Sequence, residues 1–367
     1  MKYSSEVFGN AVNVKSSIYT SGGRRDVHAA FTPGAMAFDA AFADLREAMA
    51  EFGKVLGDDL VVSSCRFMLA DPANDAASVL AVFPKATVIG QAPCVDTAIC
   101  ALVQYVEGRY ADGAVVRGSY AESHRTFTPV DASEPEAPVR AMSDYVDWLG
   151  HHGLTLEADC LRTWFFVRDI DRNYRYVVDA RNRIFAGEGL NRNTHFIAST
   201  GIGADASSTG SPLTLETLTV SGLKPGQISY IKALSHLNDT IEYGVAFERA
   251  TAVDYGDRRV VYISGTASID NRGQIIGERD IVAQTERMIL NVRALLDSAA
   301  VSADDLQHVV VYCRNRYQSA AVAELVGRAF PGVPALYVQA PVCRPGWLVE
   351  MECMAMKPQL NDAYAPY

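Results

Sequence analysis

The feature of this sequence that most limits its fold is an order of strands and helices that occurs three times. It is clearest in the last third, where a strand pattern, "RRVVYISGTASID", precedes apolar residues at helical spacing in "DIVAQTERMILNVRALLDSAA". A strand, "HVVVYCRN", a helix, "YQSAAVAELVGRAF", and two closing strands within "PALYVQAPVCRPGWLVEMECMA" follow. One copy therefore reads as a strand pair, a helix, a strand, a helix and a second strand pair.

The same order continues through the first two thirds of the chain. The first copy has a helix in "FDAAFADLREAMAEFGKVL" and a strand in "LVVSSCRFMLA", and the middle copy has a helix in "PVRAMSDYVDWLGHHG" and a strand in "CLRTWFFVRDI". A repeat of this kind predicts tandem units of one supersecondary design. The predicted bounds are 1–108, 109–223 and 224–367.

Each predicted unit is an α+β sheet with helices on one face, and such a sheet must bury its other face. Three similar units can do so by packing around a common pseudo-threefold axis. We therefore predict an α+β protein of three tandem units that forms an intramolecular pseudo-trimer. Because one chain supplies all three units, we expect a monomer.

Composition restricts the partners of this chain. Its 367 residues are 49% hydrophobic and 21% charged, with a net charge of -10 and a pI near 5.2. This acidity argues against nucleic acid or an anionic membrane as a partner. The absence of a long apolar run favours a cytoplasmic protein without a membrane span. An anionic small molecule would need a local cluster of arginines.

The sequence gives no reason to expect a metal or a cofactor. Its seven histidines lack the i, i+4 spacing with a third ligand that a metal site requires. The glycines of "GIGADASSTG" come with neither a P-loop lysine nor a dinucleotide-binding pattern. The seven cysteines contain no C-x-x-C pair, which favours reduced core thiols.

Motifs of the third copy resemble the Rid (reactive-intermediate deaminase) superfamily, namely "YISGTASI", "QTERMILNVRALL" and the ending from "FPGVPALYV" onward. Proteins of that superfamily are small homotrimers with sites between subunits, so the resemblance implies clefts between the units. Rid imine deaminases carry an arginine two residues after "FP", whereas this chain has Ala86, Ser199 and Ala335. Imine hydrolysis of that type therefore lacks its main anchor.

Four stretches together resemble the chorismatase family, which is similar to fused Rid units. They are "LRTWFFVRDI" (161–170), "THFIASTGIG" (194–203), "YGVAFERA" (243–250) and "VCRPGWLVEME" (342–352). Ile197 departs from the family pattern, which has proline there. The resemblance implies release of pyruvate from the enolpyruvyl ether of chorismate, without a cofactor, in the cleft between the second and third copies.

This reaction needs an acid that gives a proton to the methylene carbon of the ether. A carboxyl group in an apolar cleft keeps its proton near neutral pH, which suits Glu350 beside Leu348, Val349 and Met351. The middle copy has Thr214 at the equivalent position and the first copy has no clear acid. One active cleft of three is therefore expected.

Chorismate carries two carboxylates, which guanidinium groups bind in a bidentate manner. Within the matching motifs, Arg162, Arg249 and Arg344 are the predicted carboxylate-binding residues, although surface ion pairs are the ordinary role of arginine. Further binding groups are predicted at Tyr243 and in a turn whose backbone N–H groups face an anion, formed by Ser199, Thr200 and Gly201.

A hairpin is predicted at the end of the chain. A type II turn centred on Pro345 and Gly346 would place Cys343 opposite Leu348, on the sheet face of Glu350. By resemblance, chorismatases that aromatise the ring carry cysteine at this place, so Cys343 favours 3-hydroxybenzoate and is expected to steer an intermediate.

Glu352 is expected to be structural, because Glu216 occupies the same repeat position, and also to raise the pKa of Glu350.

Two other functions are compatible with these residues. One is a Rid-like hydrolase of an imine, an enamine or another enol ether, which would keep Glu350 and change the anchor. The other is a non-catalytic small-molecule-binding protein on the same scaffold. Release of pyruvate from chorismate separates the three possibilities.

Overall fold

The computed structural model describes residues 1–367, except the side chain of Tyr243. The first unit contains β1 (Lys2–Phe8), β2 (Val12–Ser21), β3 (Arg24–Pro33), α1 (Phe38–Leu56), β4 (Leu60–Leu69), α2 (Pro72–Val82), β5 (Thr87–Gly90) and β6 (Ile99–Glu107). Its strands lie in the order β1-β2-β3-β6-β4-β5.

The second unit repeats this topology. It contains β7 (Arg109–Ala111), β8 (Ala114–Arg117), β9 (Tyr120–Phe127), α3 (Glu136–His151), α4 (Leu156–Asp159), β10 (Cys160–Val167), α5 (Ile170–Gly187), β11 (Ala198–Gly203), β12 (Asp205–Ala206) and β13 (Leu213–Ser221). The order is β7-β8-β9-β13-β10-β11, while β12 pairs with β5 of the first unit.

The third unit contains β14 (Ile228–Ile231), β15 (Ala250–Asp254), β16 (Arg258–Ala267), α6 (Ile281–Ser298), β17 (Leu306–Cys313), α7 (Ser319–Ala329), β18 (Ala335–Gln339) and β19 (Val349–Pro358). Short 3-10 helices occupy Thr240–Tyr243, Ala303–Asp305 and Arg316–Gln318. Its order, β14-β15-β16-β19-β17-β18, is again the same. The prediction of three tandem α+β units is thereby confirmed, while the exact unit bounds stay a prediction.

Local sequence explains why the helices form where they do. In α1, Ala41, Leu45, Ala48 and Phe52 recur at the i, i+3 and i+4 spacing and are buried against the sheet. In α6, the side chain of Asp280 accepts hydrogen bonds from two backbone N–H groups of the first turn, which caps the helix. Within the described chain, no helix combines the length and hydrophobicity that a membrane crossing requires.

The predicted hairpin at the end of the third unit is wrong. β19 pairs with β16 and β17, and β18 pairs in parallel with β17, so β17 separates the two closing strands. Residues 342–348 form a loop, and Val342 bridges to Ile202 of the second unit. The turn exists, since Trp347 N–H donates to Arg344 O at 3.0 Å, but Gly346 does not have the positive φ of a type II turn.

The three units meet through buried ionic groups around the line along which their sheets face one another, which is their shared axis. Asp26 on β3 accepts hydrogen bonds from Arg117 on β8, at 2.7 and 2.9 Å, and from Arg258 on β16. All three side chains are buried. Burial alone would raise the pKa of Asp26, but the Coulombic effect of the two arginines outweighs it and lowers the pKa.

Replacing Asp26 by asparagine should destabilise the protein strongly, by about 3–5 kcal/mol, because two buried guanidinium groups lose their counter-charge. Since the pKa of Asp26 is lowered in the folded state, this advantage of the wild type should be present above about pH 4 and decline in more acidic solution. Urea unfolding at several pH values measures it. Asp59→Asn, in an exposed pair with Arg25, is the control, and an equal effect of both variants would contradict the assignment.

Candidate active site

A cleft of about 510 Å³, counted to its open mouth, lies between the second and third units. The second unit contributes α5 and β11, and the third contributes β16, β19, the segment before β15 and the loop 342–348. The chemically active groups that line it are Arg181, Ser199, Arg249, Cys343, Arg344 and Glu350. The cleft thus brings together one acid and three guanidinium groups.

Glu350 is a buried carboxyl group in this cleft. It lies on β19 between Ala267 of β16 and Tyr312 of β17, and only 4% of the residue is exposed. Burial raises its pKa from 4.5 to about 8, and the negative charge of Glu352 adds to the rise, whereas Arg162 and Arg249 oppose it. The carboxyl is therefore mostly protonated at neutral pH and can donate a proton.

A bulge in β16 makes room for this carboxyl. The register of β16 against β19 shifts between Ile263 and Thr266. A Cβ atom at Gly265 would lie 2.1 Å from Glu350 Oε1, so the close approach of carboxyl and backbone requires glycine. The Gly265 N–H donates to Thr200 Oγ1 at 2.9 Å, which fixes the bulge to the second unit.

The strand registers identify the counterparts of Glu350 in the other units. Glu350 lies opposite Tyr312, Thr214 lies opposite Phe166, and Cys100 lies opposite Met68. Neither Cys100 nor Thr214 is a carboxylic acid. A carboxyl donor at this position is thus found in the third unit alone.

Arg181 is a cleft residue that the sequence reasoning missed. It is buried on α5, and its Nη1 donates to Ser199 Oγ at 3.2 Å. Among the described groups, its Nε and Nη2 have no hydrogen-bond acceptor. The available signal was its helical spacing, since Tyr174, Val177, Arg181 and Phe185 recur every three or four residues on the face that α5 buries. A charged residue within such a stripe is unusual.

The two predicted arginines of the third unit lie at different depths. Arg249 is buried, lies 5.2 Å from the centre of the Phe247 ring, and donates from Nη2 to Asn238 O and Oδ1. Arg344 is exposed at the mouth of the cleft and lies 5.2 Å from the centre of the Trp347 ring. Arg314 holds the loop 342–348 in place by donating hydrogen bonds to the backbone oxygens of Trp347 and Arg344.

Cys343 is half-buried on this loop and lines the cleft although the hairpin does not form. Burial, followed by the charge of Glu350, raises the pKa of its thiol well above the ordinary value. The thiol therefore stays neutral and is a poor nucleophile. It presents a small, polarisable surface beside the acid.

Arg162 and Thr200 lie behind the cleft, on the shared axis. Arg162 donates to Ser264 Oγ at 3.2 Å and to Glu352 Oε2 at 3.0 Å. Its guanidinium lines a second cavity instead of the cleft, the axial cavity, to which all three units contribute residues, among them Arg66, Trp164 and Glu352. Thr200 Oγ1 donates to Glu352 at 2.6 Å. Sequence spacing could not show which face of the second unit's sheet borders the cleft and which borders the axis.

The predicted turn at 199–201 is wrong, because these residues belong to β11. The Ser199 N–H donates to Ser264 Oγ at 2.9 Å and is not directed at an anion. Gly201 lines the cleft, where a Cβ atom would lie 2.4 Å from the Tyr174 ring. Tyr243, also predicted to bind, has a side chain outside the described residues. No cluster of the described His, Cys, Asp and Glu residues could hold a metal ion.

Comparison with known proteins agrees with this architecture. Residues 247–357 match the family model described as Endoribonuclease L-PSP, which falls on the third unit. A solved structure of a chorismatase has a TM-score of 0.62 and 20% sequence identity, covering 83% of this chain and 95% of that one. This chain has the chorismatase fold.

Single Rid proteins match one part of the fold. A protein of the conserved Rid family from Yersinia pestis has 24% identity and a TM-score of 0.31, covering 35% of this chain and 98% of its own. RidA from an Antarctic Psychrobacter has 23% identity and a TM-score of 0.29, with 35% and 98% coverage. The chorismatase structure with a TM-score of 0.62 and the family-model match over residues 247–357 confirm the resemblance that the motifs indicated.

Replacing Glu350 by glutamine should make the stability of the protein less dependent on pH. A carboxyl whose pKa is raised in the folded state costs stability as pH rises from about 4.5 to about 8. The glutamine variant should therefore gain a few kcal/mol on the wild type across this range. Denaturant unfolding at pH 4.5 and 8.5 tests this, with the exposed Glu286→Gln as control. A difference that does not change with pH would argue against a buried, neutral carboxyl.

Proposed function

We propose that this cleft releases pyruvate from chorismate, with Glu350 as the general acid. The observation that carries the proposal is the pairing, in one cleft, of a buried carboxyl whose pKa is about 8 with the guanidinium groups of Arg181 and Arg249. A neutral acid beside fixed positive charge suits a substrate that is a dianion and must accept a proton. The shared fold supports this choice.

The protein's part in the reaction is the delivery of one proton. Transfer from Glu350 to the methylene carbon turns the enol ether into an oxocarbenium ion, and the carboxylate that remains at Glu350 stabilises its positive charge. Cleavage of the bond between the ether oxygen and the ring carbon then releases pyruvate, which keeps that oxygen. The ring returns one proton to Glu350 as it becomes a hydroxybenzoate. Because the cleft excludes most water around this group, the electrostatic effect is stronger than in solution.

The carboxylates of the substrate are assigned to Arg181 and Arg249, with Arg344 at the mouth. Arg181 presents Nε and Nη2, which have no acceptor among the described groups, and these two donors match the geometry of a carboxylate. The indole N–H of Trp347 also lies in the cleft, is buried, and has no acceptor among the described groups. Arg162, predicted to bind the substrate, is reassigned to the axis because Glu352 and Ser264 engage it.

Cys343 favours 3-hydroxybenzoate as the second product. Its neutral thiol lines the cleft with Glu350 and has a size that allows the ring of an intermediate to lie against it. By resemblance, chorismatases that produce an aromatic ring carry cysteine at this position. We therefore assign Cys343 to steering the intermediate.

Rid-like hydrolysis of an imine or enamine is the second candidate function. The match to Endoribonuclease L-PSP over residues 247–357 favours it. So does the contact between Arg181 and Ser199, since Ser199 stands where Rid deaminases carry their arginine. A guanidinium from α5 thus reaches the place of the missing anchor. Both functions use Glu350, and they differ in the substrate that the cleft accepts.

Incubation of the purified protein with chorismate should yield pyruvate and 3-hydroxybenzoate, identified by chromatography. Glu350→Gln should lower turnover by about 100-fold or more, because it removes the proton donor and keeps the shape of the side chain. Glu286→Gln makes the same chemical change on the surface and should retain activity. Consumption of an imine but not of chorismate would favour the second candidate, and consumption of neither would favour a binding protein.

Arg181→Met should raise KM for chorismate by about 10- to 100-fold, since a charged hydrogen-bond donor to a carboxylate is lost. Arg183→Met on the exposed face of the same helix is the matched control and should leave KM near the wild-type value. Steady-state kinetics of pyruvate release give both constants. An unchanged KM in Arg181→Met would remove this residue from the binding site.

A further inference from the structure

A second buried carboxylate, Glu352, lies on the axis where the three units meet. It accepts hydrogen bonds from Arg66 Nη1 of the first unit at 3.2 Å and from Arg162 Nη2 of the second at 3.0 Å. Trp164 Nε1 at 2.9 Å and Thr200 Oγ1 at 2.6 Å also donate to it. Burial opposes its ionisation, but Arg162 and Arg66 outweigh burial and lower the pKa of Glu352.

Glu352 follows Glu350 by two positions on β19, so both side chains project from the same face of the strand. Positions two apart along a strand are separated by about 7 Å. Each residue is only 4% exposed, so solvent screens their repulsion weakly. Their surroundings shift the two pKa values in opposite directions, so that Glu352 is charged and Glu350 is neutral.

Charged and titratable groups face Glu350 from every element around it. They are Tyr174 and Arg181 on α5, Arg162 on β10, Arg249 before β15, Tyr312 on β17, Cys343 and Arg344 on the loop, and Glu352 on β19. Glu352 is the only carboxylate in this set. The arginines favour the ionised form of Glu350, so the charge of Glu352 opposes them.

We propose that Glu352 is a positioning residue of the site: a fixed negative charge, held by Arg66 and Arg162, that keeps the Glu350 carboxyl protonated near neutral pH. This role of Glu352 rests on the proposed function in one respect, namely that Glu350 gives its proton to the substrate. It also gives the first unit a part in the chemistry, because Arg66 belongs to that unit and the residues lining the cleft do not.

The chain contains a matched control for this role. Glu216 occupies the repeat position of Glu352, is equally buried, and accepts a hydrogen bond from Arg66 Nε at 2.8 Å. It lies outside the cleft, and the residue two positions before it is Thr214 instead of an acid. Removing its charge takes a buried carboxylate away from Arg66 without acting on an acid two positions away on the same strand.

Glu352→Gln should lower the alkaline limit of kcat/KM by about one to two pH units, the size of a Coulombic interaction over about 7 Å at an effective dielectric constant of about 20. Turnover of chorismate should therefore fall about tenfold at pH 7.5 and recover at pH 5.5. Glu216→Gln should leave the alkaline limit in place, and Glu352→Asp, which keeps the charge, should retain most of the wild-type profile.

A measurement without substrate separates this proposal from the proposed function. In the wild-type background, the difference in free energy of unfolding between Glu350→Gln and the protein with Glu350 should increase between about pH 4.5 and 8. In the Glu352→Gln background this increase should be complete one to two pH units lower. The same range in both backgrounds, or an equal shift with Glu216→Gln, would overturn the role of Glu352 whether or not chorismate is the substrate.

Discussion

The three sheets of this chain share one buried axis, and the charged groups on that axis find their partners in neighbouring units. Asp26 of the first unit lies between arginines of the second and third, and Glu352 of the third lies between arginines of the first and second. An unpaired buried charge is far more costly than a paired one. The units therefore depend on one another, and their fusion into one chain keeps these pairs in a fixed register.

This arrangement leaves equivalent positions of the three units free to differ in their chemistry. Topology repeats in every unit, yet only the third places a carboxylic acid at the position of Glu350, against Thr214 and Cys100 in the others. The side of the cleft that the second unit forms is specialised as well, because α5 places Arg181 there. A repeated scaffold thus supports one site that is chemically asymmetric.

Much of the fold could be predicted from sequence because helical and strand periodicity are local properties. α1, α3, α6 and α7 lie close to the predicted segments. The lateral order of the strands is not local, and the insertion of β17 between β18 and β19 removed the predicted hairpin. Arg162 shows the same limit at the site. Its motif predicts the strand on which it lies, but not that Ser264 and Glu352 of the neighbouring unit accept hydrogen bonds from its guanidinium group. Arg181 lies outside the quoted motifs and could be found only as a charge on an apolar helical face.

The chemistry depends on a carboxyl group that is neutral before any ligand binds. Carbon-13 NMR of the ligand-free protein with labelled glutamate carboxyls, with the Glu350 signal assigned by its loss in Glu350→Gln, measures this state directly. A titration midpoint near pH 8 is expected for Glu350. A midpoint near the ordinary value of 4.5 would show that the cleft holds an ionised carboxylate, and it would contradict proton donation by this residue.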